Sequence, residues 1–139
     1  MKSLLGKLGV ILIGLAIFTN TEVWGEDWKL YFANENLLAY YDAQSITQPS
    51  KNIVRVMIKL DYTEKGVINY VGKFGKEYEN LKHSIILWEI NCAEKKQRRF
   101  SLTNYDHKGS EINSFSSPLQ WRVIIPESIG EGLYKEVCK

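Results

Sequence analysis

The chain has 139 residues, of which 45% are hydrophobic and 24% charged, and its formal net charge at pH 7 is +2. This length suits one domain and is too short for two. The small net charge argues against a dedicated nucleic-acid-binding protein, because such proteins are usually markedly basic. We therefore expect one globular domain without a nucleic-acid partner.

Residues 1–25 have the pattern of a secretory signal peptide. Lys2 and Lys7 precede an uninterrupted apolar run of eleven residues, Leu8 to Phe18. The run fits a signal h-region of roughly 7–15 residues and is shorter than the roughly 20 residues that cross a bilayer core. We expect cleavage after Gly25, with an uncleaved membrane anchor as the alternative.

Cleavage there would leave residues 26–139 as a single domain. Because the signal segment contains two lysines and one glutamate, this domain has 16 basic and 15 acidic residues and a net charge of +1. The first cysteine is Cys92, so no lipobox follows the apolar run and no lipid anchor is expected. The expected location is the periplasm or the cell exterior, with no transmembrane segment after cleavage.

The domain begins with a predicted β-hairpin. Its strands are Asp27 to Ala33 and Leu37 to Asp42, and the turn is Asn34 to Asn36. In the first strand, strict alternation predicts one shared face for Trp28, Leu30 and Phe32 and the other for Lys29, Tyr31 and Ala33. Residues 48–52 contain Pro, Ser and Asn, which favour a loop.

The middle of the domain changes from a strand to a helix. Ile53 to Tyr62 alternates strictly, which predicts an antiparallel strand with one buried face and one wet face. Thr63 to Leu81 changes to spacings of three and four, which favour an amphipathic helix at least over its first half. The predicted apolar stripe of this helix is Val67, Val71, Phe74, Tyr78 and Leu81.

Two further strands are predicted on either side of a turn through residues 93–96. The first, His83 to Cys92, points Ile86, Trp88, Ile90 and Cys92 inward. In the second, Gln97 to Asp106, Phe100 and Leu102 are predicted to face inward and Arg99, Ser101 and Thr103 outward. A turn at residues 106–109, a strand at Ser110 to Phe115 and a short edge strand at Trp121 to Ile125 complete the predicted sheet.

The last predicted element is a helix, Ser128 to Val137. Ser128 and Glu131 have the spacing of a capping box, which satisfies two backbone donors at a helix start. Export makes a disulfide the default for the two cysteines, Cys92 and Cys138, with two buried thiols as the alternative. The predicted fold is α+β, an antiparallel β-sheet of about six strands with a C-terminal helix pinned to it by this disulfide.

Three groups of residues give the sequence a likeness to a known family. They are Tyr41-Asp42-x-x-Ser45-Ile46, Tyr105-Asp106-x-x-Gly109, and Trp121-x-x-Ile124-x-Pro126-x-Ser128-x-x-Glu131-x-Leu133 followed by Val137-Cys138. Over Trp28 to Cys138 the chain resembles the bacterial surface-adhesin protein E family. The resemblance implies an antiparallel sheet with a disulfide-tied C-terminal helix. Its name-giving member is a surface lipoprotein that binds host extracellular-matrix and plasma proteins.

The sequence carries no recognisable catalytic, cofactor or metal motif. Its two histidines are His83, at a strand start, and His107, in a turn. Both are interpreted as exposed polar residues, and Glu77 and Glu79 as a solvated face. No clustered Cys or His spacing typical of a metal site occurs, so we expect no catalytic residues, no cofactor and no metal.

One local concentration of charge remains, formed by Lys95, Lys96, Arg98 and Arg99. As a functional site, it would be a projecting hairpin end that contacts polyanions such as glycosaminoglycan, lipopolysaccharide or anionic headgroups. The alternative is a solvated turn that protects a strand edge from aggregation.

Taken together, these features favour a non-catalytic exported binding module. The alternatives are a periplasmic enzyme or enzyme inhibitor, and an envelope structural or stress protein. The expected partners are host or envelope proteins or polyanions, and a homodimer is left open. A flat exposed sheet face with aromatic residues would favour binding, whereas a deep cleft lined by converging acids or histidines would favour an enzyme.

Overall fold

A computed structural model of the chain describes residues 26–139, and the predicted signal peptide lies outside the described residues. The strands are β1 (Trp28–Ala33), β2 (Leu37–Asp42), β3 (Thr47–Ser50), β4 (Ile53–Tyr62), β5 (Leu81–Asn91), β6 (Lys96–Asp106), β7 (Glu111–Phe115) and β8 (Arg122–Val123). The helices are α1 (Glu64–Phe74) and α2 (Ile129–Val137), with short 3₁₀ turns at Ala43–Ser45 and Lys76–Tyr78. Within this part of the chain, no helix is long and apolar enough to span a membrane.

All eight strands belong to one antiparallel sheet. Six of them follow the order β1-β2-β4-β5-β6-β7, while β3 pairs with β4 and β8 pairs with β6. Each long strand therefore pairs with the long strand that precedes or follows it in the sequence. The short turns predicted between strands favour this arrangement. The predicted α+β class and the antiparallel sheet are confirmed.

The register of β4 on β5 separates the two faces of the sheet. Val56 lies opposite Trp88 and Ile58 opposite Ile86, and these side chains belong to the hydrophobic core. Arg55 lies opposite Glu89 on the other face. The period-two pattern of β4 thus marks its buried and wet faces, as the sequence predicts.

Helix α2 packs over the core at one end of the sheet. Leu133 is fully buried, and Ile129, Tyr134 and Val137 pack against the same core cluster. The disulfide between Cys92 and Cys138 joins the end of this helix to β5, with 5.5 Å between the two Cα atoms. The predicted helix, its apolar stripe and its disulfide are confirmed.

Helix α1 covers the opposite end of the same face. The Thr63 side chain caps it by accepting a hydrogen bond from the Gly66 backbone, and Gly75 ends it with φ 114°. A Cβ on Gly66 would lie 2.0 Å from the Asn36 carbonyl oxygen, so this glycine allows the helix to approach the β1–β2 turn. The helix predicted over Thr63 to Leu81 ends at Phe74, and its predicted stripe is wrong at Phe74, which is 59% exposed, and at Leu81, which begins β5.

Two predictions about the first half of the domain are wrong. The predicted loop at residues 48–52 is wrong over residues 48–50, which belong to strand β3, and correct only for the turn at Lys51 and Asn52. Thr47 and Ser50 pair with the start of β4 at the sheet edge, where proline is tolerated. In β1, a bulge between Leu30 and Phe32 breaks the alternation. Phe32 therefore packs against the core, while Leu30 stays on the opposite face.

A second bulge reverses two predicted orientations in β6. Trp88 pairs with Arg99, and Leu87 pairs with Ser101, which leaves Phe100 as the extra residue. Arg99 therefore shares the helix-covered face with Trp88. The prediction that Phe100 faces inward is wrong, because its ring lies 4.7 Å from the Arg55 guanidinium on the other face.

Candidate binding surfaces

One face of the sheet has neither helix packed against it. We call it the open face and define it by β-register pairs that share it, such as Tyr40 with Lys59 and Met57 with Leu87. Its partly exposed apolar and aromatic side chains are Trp28, Leu38, Tyr40, Met57, Ile85 and Leu87. Leu30 on the same face is 55% exposed. The open face is thus a flat surface with aromatic residues.

A lysine lies among the aromatic residues of the open face. The ammonium nitrogen of Lys59 is 4.9 Å from the centre of the Trp28 ring and 5.3 Å from that of Tyr40. Such contacts hold a cation over the electron-rich faces of both rings. Among residues 26–139, no carboxylate forms an ion pair with Lys59. Its charge is therefore available to an incoming acidic group.

Further along the open face, the carboxylate of Glu89 is buried between two arginines. Arg55 Nη2 lies 2.6 Å from one carboxylate oxygen, and Arg98 Nε lies 2.8 Å from the other. Both guanidinium groups also lie near the Phe100 ring. Two guanidinium groups share this one carboxylate, so Glu89 is fully paired and the cluster keeps a net charge of +1.

The structure does not gather the predicted basic run into one projecting patch. Only Lys95 lies in the turn, while Lys96, Arg98 and Arg99 belong to β6. Lys95 is 3.5 Å from a carboxylate oxygen of Glu131, and Lys96 is 3.5 Å from one of Glu94. Arg98 pairs with Glu89 on the open face, and Arg99 lies on the opposite face.

On the helix-covered face, a groove of about 310 Å³ lies between α1 and the segment at residues 119–122. Its lining includes the buried side chains of Leu60, Ile86 and Leu102, together with Trp88. The β4 end and α1 contribute Tyr62, Tyr70 and Phe74, while Leu119 and Arg122 come from the segment that returns along β6. Strand β6 itself contributes Arg98 and Arg99. We call this the helix-face groove. Among the described residues, none that lines it is Asp, Glu or His.

The tyrosines of the groove are held as neutral phenols. Burial raises the pKa of Tyr62 to about 12, and its hydroxyl lies 2.9 Å from Ser84 Oγ. Burial likewise raises the pKa of Tyr70, with a further contribution from Tyr78. These phenols therefore carry no charge near neutral pH, and the arginines set the charge of the groove.

A polar network continues beneath α1. The hydroxyl of Ser84 donates to the Asn104 side chain, whose amide nitrogen donates to Asn113 at 2.8 Å. Asn113 in turn donates to the Tyr78 hydroxyl at 2.7 Å. Ser84 and Asn104 are fully buried, and their mutual hydrogen bond satisfies groups that would otherwise be costly to bury. This network fixes the tyrosine cluster.

The residues considered for catalysis do not converge on one site. The His83 ring stacks on Tyr105 at 5.1 Å, and His107 lies in the β6–β7 turn. Burial and then Lys59 lower the pKa of His83. Glu77 accepts a 3.2 Å hydrogen bond from Asn113, and Glu79 is exposed beyond the 3₁₀ turn. In the described part of the chain, no three His, Cys, Asp or Glu residues group closely enough to hold a metal ion.

Sequence reasoning does not identify the helix-face groove. One available signal is the four-residue spacing of Tyr70, Phe74 and Tyr78, which places their rings 4.7 to 6.4 Å apart. Arg99 has no comparable signal, because the bulge that turns it inward arises only when β6 pairs with β5. Lys59 is different, since the alternation of β4 already assigns it to the wet face.

Nearly all of the described domain resembles one known family. A profile of the family described as surface-adhesin protein E matches residues 28–139. A search of curated proteins returned no match to the chain.

Proposed function

The chain belongs to the surface-adhesin protein E family, and we propose that it is a non-catalytic exported binding module whose open face contacts a protein partner. The observation that carries this proposal is an uncovered sheet face with seven partly or largely exposed apolar and aromatic side chains. Contiguous apolar patches on soluble domains mark interaction sites. Aromatic side chains are enriched in protein interfaces, which supports a protein as the occupant.

Charge supports an acidic contact on that partner. Lys59 is held between Trp28 and Tyr40 without a carboxylate partner among residues 26–139. An incoming Asp or Glu would meet a cation whose side chain is already positioned by two rings. Positioning before contact lowers the entropy lost on binding. The preferred partner is therefore a protein surface with apolar residues around at least one carboxylate.

No observation favours the alternative functions. A cleft enzyme needs groups that act together, such as a nucleophile beside a base. The groove offers arginines, tyrosines and apolar residues, which suit binding. No feature of the described residues points specifically to an envelope structural role or to enzyme inhibition.

Export is part of the same proposal. We place the mature domain at residues 26–139, outside the cytoplasm. Intact-mass measurement on protein from the native cells should show an N-terminus near Glu26. Retention of Met1 would instead indicate an uncleaved anchor. Cell fractionation then assigns the mature protein to the periplasm or to the exterior.

The open-face proposal is tested with paired exposed substitutions. Leu30 is 55% exposed on the open face, and Ile68 is 66% exposed on α1. The purified protein is passed over surfaces coated with a basement-membrane extract or with plasma proteins. Leu30→Asp and Lys59→Glu should reduce retention at least tenfold, whereas Ile68→Asp should bind as the unmodified protein does.

Two results would overturn this assignment. Equal retention of the Leu30→Asp, Ile68→Asp and unmodified proteins would remove the open face from binding. If Leu30→Asp changes only self-association, seen as a shift in elution volume, the face is a homodimer interface. Circular dichroism confirms that each variant is folded before its binding is compared.

A further inference from the structure

We infer that the helix-face groove is a binding site for a single-chain anionic amphiphile, a fatty-acid-like monocarboxylate, whose carboxylate is held by Arg99 at the groove and whose chain lies along the aromatic wall. This site is separate from the open face and does not depend on the protein partner proposed for it. Three features of the groove suit such a ligand: its unmatched positive charge, its apolar lining, and a second hollow that shares three of its aromatic side chains.

The charge of the groove is positive and unmatched. Arg99 lines it, and the Nε atom of this residue is buried without a hydrogen-bond partner. Neither Arg99 nor Arg122 forms an ion pair with any carboxylate of the described residues. A buried donor of a charged group is costly when it has no acceptor. A carboxylate in the groove would supply the acceptor that Arg99 Nε lacks, with a second cation, Arg122, on the same lining.

Arg98 shows why Arg99 is the relevant cation. Arg98 also lines the groove, but its guanidinium is already paired with the buried carboxylate of Glu89. The bulge in β6 places the next residue, Arg99, on the opposite face beside Trp88. Two adjacent arginines therefore have different roles, since one neutralises an internal acid and the other has no internal acid to neutralise.

Apart from the arginines, the groove is lined mostly by apolar side chains, so its ligand must have a large apolar part. Leu60, Ile86 and Leu102 are all apolar and buried, and Phe74 is 59% exposed at one side. A small anion such as acetate would leave these surfaces unfilled. Small-molecule sites typically combine a mostly apolar lining with a few polar groups that fix orientation.

The shape of the site favours a chain over a compact ring. A second hollow of about 510 Å³ is lined by Tyr62, Tyr70 and Phe74, the same three side chains that line the groove. It reaches Leu37 and Asn36 beyond α1. A linear tail can follow these shared aromatic residues from one hollow to the other, whereas a compact molecule would occupy only one of them.

The experiment uses isothermal titration calorimetry with three probes on the full chain. Decanoate, below its micelle concentration, supplies both the anion and the tail. Methyl decanoate supplies only the tail, and acetate supplies only the anion. We expect saturable binding of decanoate, with methyl decanoate at least tenfold weaker and acetate without measurable binding.

Matched variants locate the site. Arg99→Gln should weaken decanoate binding at least tenfold, whereas Lys96→Gln, which removes the same charge outside the groove, should leave it unchanged. Because Arg99 is partly buried, a second variant guards against misfolding. Phe74→Asp adds a negative charge at an exposed position of the groove and should also weaken binding at least tenfold.

Several outcomes would overturn the inference. These are no saturable decanoate binding, equal binding of decanoate and its methyl ester, acetate binding as strong as decanoate, and unchanged binding by folded Arg99→Gln and Phe74→Asp proteins. Failure here is distinguishable from failure of the open-face proposal. Leu30→Asp should bind decanoate normally, and Arg99→Gln should bind the protein-coated surfaces normally.

Discussion

Arg98 donates a 2.8 Å hydrogen bond to the carboxylate of Glu89, whose residue is only 2% exposed on the open face of the sheet. Glu89 is thus a buried charge on a face that the helices leave uncovered. A second arginine, Arg55, binds its other oxygen through two nitrogens, at 2.6 and 2.9 Å. The two guanidinium groups and the Phe100 ring together shield this carboxylate from water.

Glu89→Gln should destabilise the domain by about 2–4 kcal/mol, because removing one partner of a buried pair leaves the others uncompensated. The lower part of that range applies if the arginines turn toward water, since each is partly exposed. Urea unfolding followed by tryptophan fluorescence measures the change. Lys65→Gln, which breaks an exposed pair with Glu35, is the control and should cost at most about 1 kcal/mol. Equal effects of the two variants would contradict the structural role of Glu89.

Two glycines of α1 should respond in opposite directions to alanine. A Cβ on Gly66 would lie 2.0 Å from the Asn36 carbonyl oxygen, whereas one on Gly72 has nothing within 4 Å. Gly66→Ala should therefore destabilise the domain by about 1–3 kcal/mol through overpacking. Gly72→Ala should stabilise it by about 0.5–1 kcal/mol through higher helix propensity. Thermal unfolding of both variants checks the two signs, and two shifts of the same sign would contradict the packing of α1.

The disulfide should stabilise the C-terminal helix above all. It closes a loop with a sequence separation of 46, worth roughly 4 kcal/mol in the chain-entropy model, and measured values are often lower. Cys138→Ser should cost about 2–4 kcal/mol. Hydrogen exchange should show that Leu133 and its neighbours in α2 lose protection before β4 and β5 do. Uniform loss of protection across the sheet would contradict this order.

The sequence predicts elements whose patterns are local. The alternation of Ile53 to Tyr62 predicts the bounds of β4 and its two faces, because one face meets the core and the other meets water. The Ser128–Glu131 spacing predicts the start of α2, where Ser128 Oγ accepts a 3.2 Å hydrogen bond from the Glu131 backbone. The Glu131 carboxylate completes the cap by accepting a 2.9 Å hydrogen bond from the backbone N–H of Glu127. Glu127 is the residue before the N-cap, Ser128.

Features that depend on pairing between distant residues could not be predicted in this way. The bulges at Tyr31 and at Phe100 shift their strands by one residue, and a shift of one residue exchanges the two faces of a strand. The helix-face groove exists because α1 and the segment at residues 119–122, far apart in sequence, lie over the same face of the sheet. The sequence does not predict strand β3, because Pro49 usually interrupts the pairing of β-strands. Proline is tolerated here because β3 lies at the edge of the sheet.

Stability should depend on the ionisation of Glu131. The backbone N–H of Glu127 lowers the pKa of this carboxyl below its ordinary value of 4.5, with Lys135 and Lys95 acting in the same direction. Because the folded pKa lies below the unfolded one, the stabilising contribution is complete above pH 4.5 and is lost as pH falls through the folded pKa.

Glu131→Gln keeps a side-chain acceptor and removes the charge. The melting temperature of this variant should lie below that of the unmodified protein at pH 6. The gap should narrow as pH falls below 4.5, because the glutamate then becomes neutral as well. A gap that does not change with pH would show that the charge of Glu131 contributes nothing to the helix cap.

The four basic residues of the predicted polyanion site differ in how far their charges are already paired. Lys95 in the β5–β6 turn and Lys96 at the start of β6 make long ion pairs of 3.5 Å, and Lys95 also lies 5.2 Å from the centre of the Tyr134 ring. Arg98 is committed to Glu89, and Arg99 lies on the other face. If this region binds polyanions, the two lysines should therefore supply most of the attraction.

Heparin chromatography in a salt gradient measures that attraction. The Lys95→Gln/Lys96→Gln protein should elute at lower salt than the unmodified protein. The control Lys51→Gln/Lys76→Gln removes the same charge from two other exposed positions and should elute with the unmodified protein. Retention should fall steeply as salt rises, because the Debye length shrinks from about 10 Å at 0.1 M to about 3 Å at 1 M. Identical elution of all three proteins would mean that the lysines only keep the turn solvated, which is the alternative interpretation of the basic run.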